Sequence, residues 1–137
     1  MTLLQPQPVG IPLPKPSPLT QPFWDGCAAG ELRYQECAVC ARAIFDPARA
    51  CRFCGATELG WRTSAGHGEV YSWSTVWRPQ TPAFVTPYVA AIVALGEGFH
   101  MVSNIVGCEI DAVHTGLPVE VVFHSAGALT LPYFRPR

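Results

Sequence analysis

Two C-x2-C knuckles, Cys37-Ala-Val-Cys40 and Cys51-Arg-Phe-Cys54, stand ten residues apart in a chain of 137 residues. Nothing else in the sequence limits the fold as tightly. Four thiolates are the number that a closed tetrahedral Zn²⁺ site takes. Such a quartet leaves no open position for water, so the expected role of the metal is structural, its binding free energy becoming folding free energy. Iron in a rubredoxin-like site is the rival reading, because the same ligand set holds it. A dithiol redox pair fits less well, since such motifs occur singly beside a βαβ pattern. Four thiolates around a divalent cation leave a charge of about −2, and Arg42, Arg49 and Arg52 are close enough in sequence to offset it. Cys27 and Cys108 are left over and read as small buried hydrophobes.

The rest of the chain divides around this feature. Seven of the fourteen prolines fall in residues 1–22, which predicts an extended arm, either a loose tail or a strap across a partner. Residues 23–66 hold a short amphipathic helix over Phe23–Leu32, with Trp24, Cys27, Ala28 and Leu32 at helical spacings, and then the cysteine segment. Asp25 is placed near the helix start, where a carboxylate suits the dipole. From residue 67 to 137 the pattern turns to period two. Tyr71, Trp73, Thr75 and Trp77 share one predicted strand face, and these rings read as core filling more readily than as a ligand platform. Tyr88–Leu95 reads as a strand buried on both sides, Gly96-Glu97-Gly98 as a hairpin turn, and Phe99–Val106, Pro118–His124 and Leu129–Phe134 as further strands. Five strands in so short a segment predict a small closed barrel of the OB type. The fold class expected is therefore mainly β: an N-terminal helix and a small domain stapled by metal on its cysteines, followed by a five-stranded OB-fold barrel.

Composition narrows the function. Nine Lys and Arg against ten Asp and Glu give a net charge of −1, and between Arg78 and Arg135 the only formal charges are Glu97, Glu109, Asp111 and Glu120. A single-stranded nucleic-acid groove needs basic residues beside its aromatics, so no nucleic acid is expected as a partner. The longest apolar run, Tyr88–Leu95, is too short for a membrane span, which takes roughly 20 residues. Residues 1–19 lack the basic start and apolar core of a secretory signal, and a cytoplasmic location is expected. No nucleophile elbow, phosphate loop or acid pair is present, and His67, His100, His114 and His124 are scattered, so no catalytic residues are assigned. With 49% hydrophobic and 14% charged residues, a body this small is expected to hide an apolar surface against a partner.

In its order of helix, cysteine knuckles and barrel, the chain resembles the domain of unknown function 35 family, which implies a mainly β fold of N-terminal helix and rubredoxin-like zinc ribbon followed by a five-stranded OB-fold barrel. Pro22-Phe23-Trp24-Asp25 with Gly30-Glu31-Leu32 is similar to the family's leading helix, and the four cysteines match its ribbon. Gly68-Glu69-Val70-Tyr71-Ser72-Trp73 resembles its lead into the barrel, Pro87-Tyr88-Val89 its second strand, and Gly116-Leu117-Pro118-Val119 with Phe123 its late strand. The resemblance implies structural Zn²⁺ on Cys37, Cys40, Cys51 and Cys54. It also implies an accessory role: a noncatalytic subunit of a thiolase-like enzyme or lipid-transfer-type aldolase, in steroid or fatty acyl side-chain degradation, with a CoA thioester at the shared site. Phe23, Trp24, Tyr133 and Phe134 are the rings expected at the partner contact, the join between ribbon and barrel being their other use. A free-standing acyl-CoA or lipid-binding module is the alternative.

Overall fold

The computed structural model describes residues 2–137. The proline-rich start is extended and is held on the chain's own barrel through Leu3, Leu4 and Gln7, which corrects the expectation of a loose tail. Leu3 bridges to Glu109, the Leu4 amide donates to the Cys108 carbonyl at 2.8 Å, and the Leu4 side chain is 2% exposed. Burying that one side chain contributes roughly 1.5–3 kcal/mol, enough to hold a short arm in place. Further along, the Gln7 side chain donates to the Val85 carbonyl at 3.0 Å and accepts from the Val85 amide at 2.8 Å, as a strand neighbour would.

Helix α1 covers Gln21–Ala28, starting behind a Ser17/Thr20 turn with Pro22 in its first turn, where a missing amide costs nothing. It ends earlier than its apolar spacing predicts, because Gly30 turns the chain with φ +76° and Leu32 packs from the following segment. Asp25 lies in the second half of the helix and accepts from Gln21 at 2.8 Å, so it serves a side-chain pair and not the dipole. Phe23 and Cys27 form its buried face.

Three short strands follow that the sequence pattern does not announce: β1 (Arg33–Cys37), β2 (Ala43–Ile44) and β3 (Leu59–Thr63), in the order β2-β1-β3. The barrel strands are β4 (His67–Val76), β5 (Tyr88–Leu95), β6 (His100–Ile105), β7 (Pro118–Ser125) and β8 (Thr130–Pro136). They close in the order β4-β5-β6-β8-β7, with β6 and β8 parallel at Ile105 and Phe134 and all other pairs antiparallel. That is the OB-type Greek-key closure expected from the five alternating segments. The close approach of β4 to β5 depends on Gly68, where a Cβ would strike the Ala94 carbonyl oxygen. β5 buries one face fully and the other only partly, so its unbroken apolar run overstates its burial.

One hydrophobic core runs through both parts. Phe23 and Cys27 of the helix, Leu32 and Tyr34 of the ribbon, and Val70, Val89, Val93, Met101 and Phe134 of the barrel belong to the same cluster. The linker is fixed by the hairpin turn after β5: Ser64 Oγ and the Ala65 amide both donate to the Glu97 carboxylate, at 2.7 and 2.8 Å. Glu97 is thus a turn residue tied to the linker, in keeping with its hairpin setting. Among the described residues, no helix is long and apolar enough to cross a membrane.

Candidate metal centre

The two knuckles face each other as near twins. Cys37 ends β1, and its amide donates to the Arg42 carbonyl at 3.0 Å, while the Cys51 amide donates to the Ala56 carbonyl at 2.8 Å. Behind each second cysteine the backbone turns left-handed, at Ala41 (φ 64°) and Gly55 (φ 80°), and those amides donate back to the Cys37 and Cys51 carbonyls. The turns aim further amides at sulfur: Cys40 N to Cys37 Sγ at 3.5 Å, and Phe53 N to Cys51 Sγ at 3.4 Å.

The result is a quartet of Sγ atoms all within 4.8 Å of one another, with Cys37–Cys54 and Cys40–Cys51 each at 3.6 Å. A tetrahedron with Zn–S bonds of about 2.3 Å has edges of about 3.8 Å, so the donor set fits zinc in number, chemistry and spacing. The protons follow the same logic. The Cys40 amide, with smaller help from its neighbours, holds the Cys37 thiol below its ordinary range. At Cys51 burial pushes the value up, but the Phe53 and Cys54 amides outweigh it and bring it down to about 6. Cys54 stands at about 11: the Ala56 amide lowers it, while burial and the three neighbouring thiols raise it further. Four thiols this close cannot all ionise unless a cation takes up the charge, so metal binding expels the last proton. Zinc here would hold the two knuckles together and leave no ligand position free for a reaction.

Around the quartet, Cys37, Ile44 and Cys51 form a small separate core. The Arg42 and Arg52 guanidiniums lie over the Phe53 ring, 4.7 and 5.5 Å from its centroid, which keeps two positive charges at the knuckle surface. Cys27 is buried, and desolvation pushes its thiol up to about 12; Cys108 is half-buried and is also raised by burial, with help from Glu109. Both fit the inert role expected of them.

The four aromatic contact candidates fare differently. Phe23, Trp24 and Tyr133 line an apolar cleft of about 400 Å³ between α1, the arm, the ribbon corner at Phe45 and the barrel wall at Met101. Phe134 is 0% exposed inside the barrel, opposite Val121, which removes it from any surface contact. A second correction concerns the aromatic stripe. A bulge between Val70 and Ser72 splits the stripe, leaving Tyr71 on the outer face against His100 and turning Trp73 to the inner face opposite the buried Ala91; Val70 alone is core, while Tyr71, Trp73 and Trp77 are 58%, 41% and 66% exposed. Alternation in the sequence cannot show a bulge, because the extra residue leaves no compositional mark. The buried Gln7 and Gln35 were also invisible in the sequence; each clamps a loop through both amide and carbonyl, Gln35 doing so at Ala48.

Comparison with known proteins agrees with this architecture. Residues 24–60 match the family model described as the ChsH2 rubredoxin-like zinc ribbon domain, and residues 61–124 the ChsH2 C-terminal OB-fold domain. A probable enoyl-CoA hydratase alpha subunit of Thermomonospora curvata is 39% identical over 83% of this chain and 36% of its own length. The 3-oxo-4,17-pregnadiene-20-carboxyl-CoA hydratase alpha subunit of Mycobacterium tuberculosis is 32% identical over 74% of this chain and 32% of its own. The chain therefore spans about a third of the length of these curated relatives. Among solved structures, a chain of the Ltp2-ChsH2(DUF35) aldolase superposes with a TM-score of 0.82 at 35% identity, covering 90% of this chain and 98% of that one.

Proposed function

The chain belongs to the DUF35 family of zinc-ribbon and OB-fold proteins, and from that premise we propose that it is a noncatalytic accessory subunit of a thiolase-fold acyl-CoA enzyme. The partner is a thiolase or a lipid-transfer-type aldolase, which this chain stabilises and whose CoA-thioester site it helps to shape. The observation that carries the reading is the match, over nearly its whole length, to the ChsH2(DUF35) chain of an aldolase built from two different proteins. The uses found for this chain's reactive groups support it. Its thiol quartet is a closed metal set, Glu97 ties a linker, and the four histidines are dispersed on or near the surface. Both hydratase relatives carry acyl-CoA chemistry in their names, one of them on a steroid side chain, which favours a place in steroid or fatty acyl side-chain degradation.

Expression of the tagged full-length chain in its native host, followed by purification and assay, tests the proposal. A stoichiometric thiolase-sized subunit is expected, with activity in the mixture and none in this chain alone. Turnover of a CoA thioester by the isolated chain at an enzymatic rate overturns it. The second reading, a free-standing acyl-CoA or lipid-binding module, rests on the apolar cleft of about 400 Å³, a volume within the range of small-molecule sites. A lone monomer that holds an acyl-CoA after purification would favour it.

A further inference from the structure

Strand β4 is longer than the barrel needs. It pairs with β7 only through His67–Glu69, and its last bonds on that side join Val70 to Leu117 and Gly116. On the other side it pairs with β5 up to Val76. Among the described residues nothing pairs with the outer edge of Tyr71–Val76. Every second residue there turns its amide and carbonyl away from β5, so this edge presents a row of free donors and acceptors. Residues 71–74 are exposed on both faces of the strand.

Open edges of this length are normally blunted by lysine, proline or a covering loop. Here the eight residues between Glu69 and Arg78 carry no charge and no proline, and they are rich in β-branched and aromatic types. Trp73 stands beside the edge and Trp77 follows at 66% exposure, while Tyr71 leans the other way, across β5 onto His100 at 4.7 Å; rings of this size each bury on the order of 150–250 Å² when covered. An uncharged edge between exposed rings offers nothing to phosphates and everything to a neutral extended strand.

We propose that the open edge of β4, Tyr71–Val76, is where the partner enzyme docks, by adding an extended, uncharged segment of its own chain as a further strand. This rests on the accessory-subunit reading, which supplies the occupant. The names of the relatives, alpha subunits and a two-protein aldolase, describe assemblies of unlike chains and so favour a different protein over a second copy. In the docked state the backbone of the incoming strand supplies affinity, while Trp73 selects small or apolar side chains on its face.

The test compares amide hydrogen exchange in the free chain and in the complex with the thiolase-fold subunit that co-purifies with it. At least tenfold slower exchange of alternate amides in Tyr71–Val76 is expected on complex formation. The double substitution S72K/S74K should weaken that complex at least tenfold while zinc content and melting temperature stay unchanged; if the variant does not fold, the exchange measurement on the native chain still decides. A complex that forms with exchange over Tyr71–Val76 unaltered overturns this inference and leaves the accessory role standing. Protection that grows with the concentration of the free chain alone also overturns it, in favour of a second copy. Failure to recover any such subunit removes both the accessory reading and the edge docking.

Discussion

The Phe45 ring of the ribbon lies parallel to the Phe99 ring of the barrel, 5.3 Å away between centroids and 8° apart in plane. Phe23 meets Phe45 edge-on at 5.4 Å, and Tyr34 leans on Phe99 at 5.0 Å. Ribbon, helix and barrel are thus joined by four rings and not by a flexible linker. Phe99→Ala should cost about 3–5 kcal/mol, the usual loss for a buried Phe truncated to Ala. Denaturant melts of the zinc-bound protein check this, and zinc content should stay at one per chain because the quartet sits in its own small core.

Zinc content is the direct test of the metal centre. Purified protein should hold one zinc per chain, and Cys37→Ser or Cys51→Ser should lose metal and ribbon structure together, because a site reduced to three thiolates forfeits much of the free energy that folds it. Metal analysis with circular dichroism reads both. Stoichiometric iron with a red colour would reassign the metal, and a folded, metal-free wild type would remove it.

Ala41 and Gly55 occupy the same turn position in the two knuckles, but only one is a glycine. A left-handed residue with a Cβ costs roughly 1–2 kcal/mol, partly repaid by a stiffer unfolded chain. Ala41→Gly should therefore raise stability by up to about 1 kcal/mol, and Gly55→Ala should lower it by a similar amount. Opposite shifts in the midpoint of chemical unfolding are the expected pair of results.

Gln7 is buried and gives both of its amide atoms to Val85. Gln7→Leu leaves the Val85 amide and carbonyl without partners and should cost about 1–3 kcal/mol if the site stays dry. Hydrogen exchange should quicken in residues 3–9 and 81–87 and stay unchanged in the ribbon.

The Cys27 thiol, raised from 9.0 to about 12 by burial against smaller lowering by its backbone and Arg33, should be almost inert in the native protein. At pH 8.5 its alkylation should be slower than in unfolded chain by about two to three orders of magnitude, set by the thiolate fraction. The linkage runs one way: the unfolded thiol ionises first, so this group's contribution to stability is complete below pH 9 and declines as pH rises towards 12. Alkylation followed by peptide mass mapping distinguishes Cys27 from the half-buried Cys108.

Much of the candidate site was written locally. Paired cysteines two residues apart specify a knuckle whatever surrounds them, because ligand number and short-range geometry fix the turn. The barrel strands were legible for a related reason: alternation marks a half-buried strand residue by residue. The three ribbon strands were not, since β2 has only two residues and β3 is largely exposed, so neither carries a hydrophobic period. Asp25 shows the limit of positional reasoning, as a shift of the helix start by two residues moved it from the dipole to a pair with Gln21.

By itself, then, the sequence determined the metal ligands, the order of helix, ribbon and barrel, and the lack of charge along Val70–Trp77. Only the tertiary structure decided that the proline-rich arm packs on its own barrel through Leu4 and Gln7, that Phe134 lies inside while Trp24 borders a cleft, and that the β4 rings stay exposed on a strand with an open edge. The physical reason is the range of the interactions. Coordination and alternation act between residues a few positions apart, whereas the fate of Gln7 rests on Val85, 78 residues away, and that of Tyr71 on where β7 ceases to pair with β4.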